Sequence, residues 1–112
     1  MALLIPADGP PREVDLPGGG AKQFMRTLRT LIGTGCAERI QVTSRWEAWL
    51  DEDAAGKPVN QGASLIARSF GFEFSLCGAA VIAGLDKDTA EPAALSPAQA
   101  SAILDMIRTP SA

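Results

Sequence analysis

The stretch Cys77–Leu85, CGAAVIAGL, carries no charged side chain, and its apolar residues fall on both alternating faces. A strand in the middle of a sheet has this character, whereas a strand with one wet face alternates apolar and polar residues. The fold is therefore read outward from a central strand at this point. Just before it, GFEFSL alternates, with Phe70, Phe72, Phe74 and Leu76 on one side, and an extra edge strand is expected over Gly71–Ser75. Just after it, DKDTAEP reads as a polar loop. SPAQ then sets Ser96 at an N-cap, Pro97 at the first helical position and Gln99 at the third, a capping-box signature. The helix that follows buries Ile103, Leu104 and Ile107 and stops before Pro110.

The N-terminal half supplies the remaining elements. ALLIPA is a short apolar strand, DGPP a turn, and REVDL a second strand with Val14 and Leu16 on one face. From Ala21 the period changes: Phe24, Met25, Leu28, Leu31 and Ile32 form the stripe of an amphipathic helix, and Gly33 suits its left-handed cap. AERIQVTSRWEAWLDEDAAGK reads as two strands. Ile40 and Val42 alternate in the first, Trp46, Ala48 and Leu50 in the second, with a turn at Thr43–Arg45 and a polar loop over Asp51–Lys57. Asn60 is the expected N-cap of a short helix burying Leu65, Ile66 and Phe70. The expectation is a single α+β domain over residues 1–112: one mixed sheet of about five strands, two main helices and one short helix, in the order β-β-α-β-β-α-β-α.

Composition narrows the function classes. The 112 residues carry 10 basic and 13 acidic side chains, a net charge of −3, so nothing draws the chain as a whole to nucleic acid. There is no histidine, which removes histidine-based acid–base and nucleophile pairs and most zinc or iron sites. The two cysteines, Cys36 and Cys77, are far apart, and buried free thiols are the expectation. The start, MALLIPADGPPREVD, lacks the basic flank and the long apolar core of a signal peptide. No apolar run reaches the roughly 20 residues that span a bilayer. A cytoplasmic protein without cofactor or metal, and not an enzyme, is the resulting expectation.

Motifs that invite a chemical reading fail position by position. LPGGGAKQF, Leu16–Phe24, resembles a phosphate cradle, but Ala21 separates Gly20 from Lys22, and Gln23 stands where a Walker loop has a hydroxyl and a dinucleotide loop its third glycine. A flexible lead-in to the first helix is the better account. Asp51, Glu52, Asp53 and Gly56 suggest a calcium loop, yet its fifth and twelfth positions would be Ala55 and Gly62.

Two surfaces remain as candidate sites. Trp46 and Trp49 differ in parity along their strand. If Trp46 is core, Trp49 lies on the other face, where a helix covers it or it is an interface anchor beside Arg45, Glu47, Asp51, Glu52 and Asp53. This is the candidate partner-binding surface. The alternative is an anionic small molecule, a nucleotide for example, held by the basic row Lys22, Arg26 and Arg29 with Phe72 as a stacking face.

Four pieces in order, LLIPADG…REVDL, LRTLIGTGCAERIQV, AWLDEDAAGKPVNQGASLIA and LCGAAVIAGLD, resemble an uncharacterised family, the domain of unknown function thirty-eight forty-six. The resemblance rests on Ile5-Pro6, on Leu31-Ile32-Gly33 with Glu38, on Asp51–Asp53 with Gly56, Lys57, Pro58, Asn60 and Ala63, and on Gly78 and Gly84. Members occur in actinobacteria, their plasmids and their phages. The resemblance implies no activity for particular residues. It implies a setting, that of a phage or plasmid accessory protein binding and modulating, in the manner of an inhibitor, a host or defence protein.

Overall fold

The computed structural model describes residues 1–16, 20–54, 56–73, 75–86, 88–89 and 91–108, and the side chains of Ala21 and Arg108 fall outside that description. Nine elements follow in order: β1 (Ala2–Ile5), β2 (Arg12–Val14), α1 (Ala21–Ile32), β3 (Ala37–Gln41), β4 (Trp46–Asp51), α2 (Gln61–Ser69), β5 (Ala80–Leu85), β6 (Pro92–Ala93) and α3 (Pro97–Arg108). The sheet runs β2-β1-β5-β4-β3, with β6 paired to β5. The α+β class and the central place of the CGAAVIAGL stretch stand as expected, with every residue of β5 buried.

Three details differ from the sequence reading. The sheet is antiparallel at every described pairing, not mixed. The reason lies in α2: its excursion leaves from the end of β4 and returns beside it, so that Leu50 pairs with Ala80 and no crossover is made. Residues 71–73 and 75 form no strand, and Phe74 lies outside the described residues. The period-two alternation there is overridden by the end of α2. Gly71, at φ 90°, sends its N–H to Arg68 O while Phe72 N–H reaches Ala67 O, which is the Schellman closure of a helix. At the end of the stretch expected as a polar loop stands a two-residue strand, β6, pairing Gly84 with Ala93 and Leu85 with Pro92.

Strand parity divides the core into two layers. On one face Leu3, Ile5, Trp46 and Ile82 pack with Ile66 of α2 and Ile103 of α3. On the other, Ala2, Leu4, Trp49, Val81 and Ala83 meet Leu28 and Ile32 of α1, with Phe24, Met25 and Leu31 around them. A helix layer on each face is what a strand apolar on both sides requires.

The caps are local. Gly33 closes α1 at φ 78°, Asn60 Oδ1 accepts from Ala63 N–H at 2.9 Å, and Ser96 and Gln99 exchange the two bonds of a capping box. In α2 only Ile66 of the three expected core residues is buried. Leu65 is half-buried, and Phe70 is exposed with its ring edge-on to Trp46 at 5.2 Å. Asn60 is also a junction: its fully buried side-chain amide donates to Ile5 O at 2.8 Å and Gly78 O at 2.9 Å, tying the start of α2 to the end of β1 and to the chain just before β5.

Candidate functional site

The surface expected around Trp49 does not exist as a surface. Trp49 is buried under α1, its ring edge-on to Phe24 at 5.7 Å. The apolar stripe of α1 needed a sheet face, and the odd-numbered face of β4 is the one it covers. Glu47, on that same face, is fully buried; Oε1 accepts the Trp49 indole N–H at 2.9 Å, and Oε2 lies 3.0 Å from Arg39 Nε. Burial pushes the Glu47 carboxyl above its ordinary range, against the opposing pull of Trp49 and Arg39. Asp51 is buried as well, paired with Lys57, and its Oδ1 accepts from Asp53 N–H at 2.8 Å. The Lys57 hydrogen bond holds the Asp51 carboxyl below its ordinary range. Of the six residues assigned to this surface, Arg45, Glu52 and Asp53 are exposed, and the three that would have anchored a partner are internal.

These two carboxylates serve the fold. Lys57 also approaches the α1 C-terminal carbonyl of Gly33 at 3.4 Å, so the Asp51–Lys57 pair ties the end of β4 to the end of α1. Among the described residues, no group of three or more carboxylates and cysteines is arranged to hold a metal ion. Cys36 is exposed and Cys77 half-buried, which corrects the expectation of two buried thiols; both are free. They sit at strand approaches, outside the two core layers.

The basic row is real, but its stacking partner is elsewhere. Lys22, Arg26 and Arg29 are exposed along α1 and line one shallow groove with Met25 and Thr30. Phe72 lies on the opposite face of the sheet, among residues packed toward α2. The layer of the sheet itself separates the two halves of that site. Of the glycine run, residues 17–19 lie outside the described residues. Gly20, at φ 110°, stands at the N-cap of α1 with no side-chain cap.

The feature that sequence reasoning missed is an apolar trough between β3 and α2. Its cavity volume is only about 20 Å³, and its lining among the described residues is apolar: Ile40, Val42 and Leu50, with Ala80 and Ile82 of β5 beneath and Phe72 at the rim. A second concavity, sharing Ile40, Leu50 and Leu76, continues it to Glu38 at the other end of β3. The two helices that cover this face pack on the middle of the sheet, so the outer strand keeps its apolar face half-covered: Ile40 and Val42 are each half-buried. Its far wall is the chain after α2, held where Leu76 N–H donates to Ser64 Oγ at 2.8 Å. The alternation of Ile40 and Val42 was the available signal; nothing local tells how far α2 reaches. No helix among the described residues is long and apolar enough to cross a membrane.

Comparison with models of known protein families, with curated proteins and with solved structures finds no match to this chain.

Proposed function

We propose that this is a non-enzymatic binding protein that holds a segment of a partner polypeptide in the apolar trough beside β3. The trough carries the reading. Its lining is wholly apolar, it opens to solvent, and it borders the last strand of the sheet path. A small apolar hollow of this kind can seat one anchoring side chain of a polypeptide partner. The displaced carboxylates support it from the other side, since Glu47 and Asp51 are committed to Arg39, Trp49 and Lys57. The family resemblance adds a setting to this reading: a phage or plasmid accessory protein whose partner is a host or defence protein.

Random peptide display against the full chain tests it. Peptides should be enriched, and Ile40→Asp should abolish their binding while leaving the denaturation transition cooperative. Enriched peptides indifferent to that substitution overturn the trough as the site.

The basic row supports a second reading, an anionic small molecule on α1. Lys22, Arg26 and Arg29 have no ion-pair partner among the described residues and share one groove. A thermal-shift panel of nucleotides checks it. Binding at 100-fold the dissociation constant adds about 2.7 kcal/mol, and no shift with any of them removes the reading.

A further inference from the structure

We infer that the row Lys22, Arg26 and Arg29 takes a linear oligophosphate, such as the triphosphate tail of a nucleotide, and reads its charge without reading a base. This rests on the anionic reading of α1 above and goes further by naming the group that is recognised and the group that is not.

The charges of α1 are not placed for the good of the helix. Its twelve residues, AKQFMRTLRTLI, hold three cations and no acid, and no other described element has a net charge above +1. The chain carries −3 in all, so taking away the +3 of α1 leaves −6 on the remainder. Lys22 and Arg26 are four residues apart, and Arg26 and Arg29 three apart. Each is a like-charge pair on neighbouring turns, which opposes helix formation. Lys22 also stands in the first turn, where the macrodipole disfavours a cation, and neither a side-chain cap nor an acid offsets it there. Where a cation supports the fold, at Arg39 and Lys57, it meets a carboxylate. The three on α1 are exposed and have no ion-pair partner among the described residues. A cationic row that weakens its own helix and supports no contact is a local conflict of the kind found at binding surfaces.

The shape of the row selects the ligand. At 1.5 Å per residue its members rise about 6 Å and then about 4.5 Å along the axis, within about 60° of one another around it. They form a nearly straight line of charge about 10 Å long, which suits a short chain of phosphates lying along the helix. Met25 and Thr30 complete the groove, which has no aromatic side chain and no second element in its lining, so nothing grips a base. Phe24, on the same helix, faces the other way, toward Met1, Leu16 and Ala93, and Phe72 lies beyond the sheet. The negative remainder of the chain repels a broad polyanion such as a duplex. It acts less on a compact one seated on the row, since charges are screened over about 8 Å at physiological salt.

Titration calorimetry on the full chain in magnesium-free buffer tests this with defined probes. Inorganic tripolyphosphate, ATP and CTP should bind with dissociation constants within about threefold of one another, and AMP and orthophosphate at least about tenfold more weakly. Arg26→Gln should weaken the first three by at least about tenfold, while Arg68→Gln, which removes an exposed cation from α2, leaves them unchanged. ATP and CTP that differ by about tenfold or more, AMP that binds as tightly as ATP, or nucleotides that bind where tripolyphosphate does not, overturn the base-blind oligophosphate while the anionic reading stands. No binding by any probe, binding indifferent to Arg26→Gln, or equal loss with Arg68→Gln, overturns both.

Discussion

The Trp49 indole N–H donates to Glu47 Oε1 at 2.9 Å, between neighbours on one face of β4, and both side chains lie beneath α1. The carboxylate is thereby fixed against the apolar layer of Trp49, Leu28 and Val81. Its other oxygen depends on Arg39, which reaches in from the half-exposed face of β3.

That arrangement has a pH signature. Burial raises the Glu47 pKa in the folded state above the ordinary value of 4.5. Its contribution to stability is therefore full below that value and is lost as pH rises through the displaced one. Glu47→Gln removes this loss and keeps an acceptor for the indole. The stability of the Gln variant relative to the parent should rise as pH climbs above 4.5, measured as urea midpoints. Parallel curves would contradict it. Glu47→Ala instead strands the indole N–H and should cost about 1–3 kcal/mol.

Asp51 works in the opposite sense. Lys57 holds its folded-state pKa below the ordinary 3.8, so its contribution is present above that value and disappears as pH falls through the lowered one. Asp51→Asn should lower stability at neutral pH and flatten the acid side of the stability curve. An acid transition as steep as the parent's would show that the Asp51–Lys57 pair is not what fails there.

Asn60 should resist the substitution that ordinary N-caps accept. Aspartate is as good a cap as asparagine, but only the amide donates to Ile5 O and Gly78 O. Asn60→Asp should therefore cost nearly as much as Asn60→Ala, about 3 kcal/mol, by chemical denaturation. A near-neutral aspartate variant would mean that water takes over those carbonyls.

Gly84 tests the strand that the sequence did not announce. A Cβ at this position would lie 2.7 Å from Ala94 O and 3.0 Å from Ala93 O, both backbone atoms. Gly84→Ala should expel β6 from β5 and cost about 1–3 kcal/mol, with faster amide exchange at Leu85 and Ala93. Unchanged exchange there would refute the pairing.

Much of the frame was readable because its signals are local. The stripe of α1, the caps at Gly33, Asn60 and Ser96–Gln99, and the charge-free β5 each sit within a few residues of chain. The parity of Trp46 and Trp49 also held, each entering a different layer. What failed needed tertiary knowledge. Phe72 and Phe74 alternate like a strand, but Gly71 belongs to the close of α2. Trp49 among charged neighbours looks like an anchor until α1 is laid over it. The trough arises from where α2 stops short of β3, a distance no periodicity encodes.

A partner polypeptide is proposed to occupy the β3 side of the sheet. Amide hydrogen exchange of the full chain, with and without a display-selected peptide at saturation, tests it most directly. Binding beside β3 should slow exchange along Ala37–Gln41 by at least about tenfold and change it little along α1. A peptide that binds while β3 exchanges as before, or that protects Lys22–Arg29 instead, would contradict it.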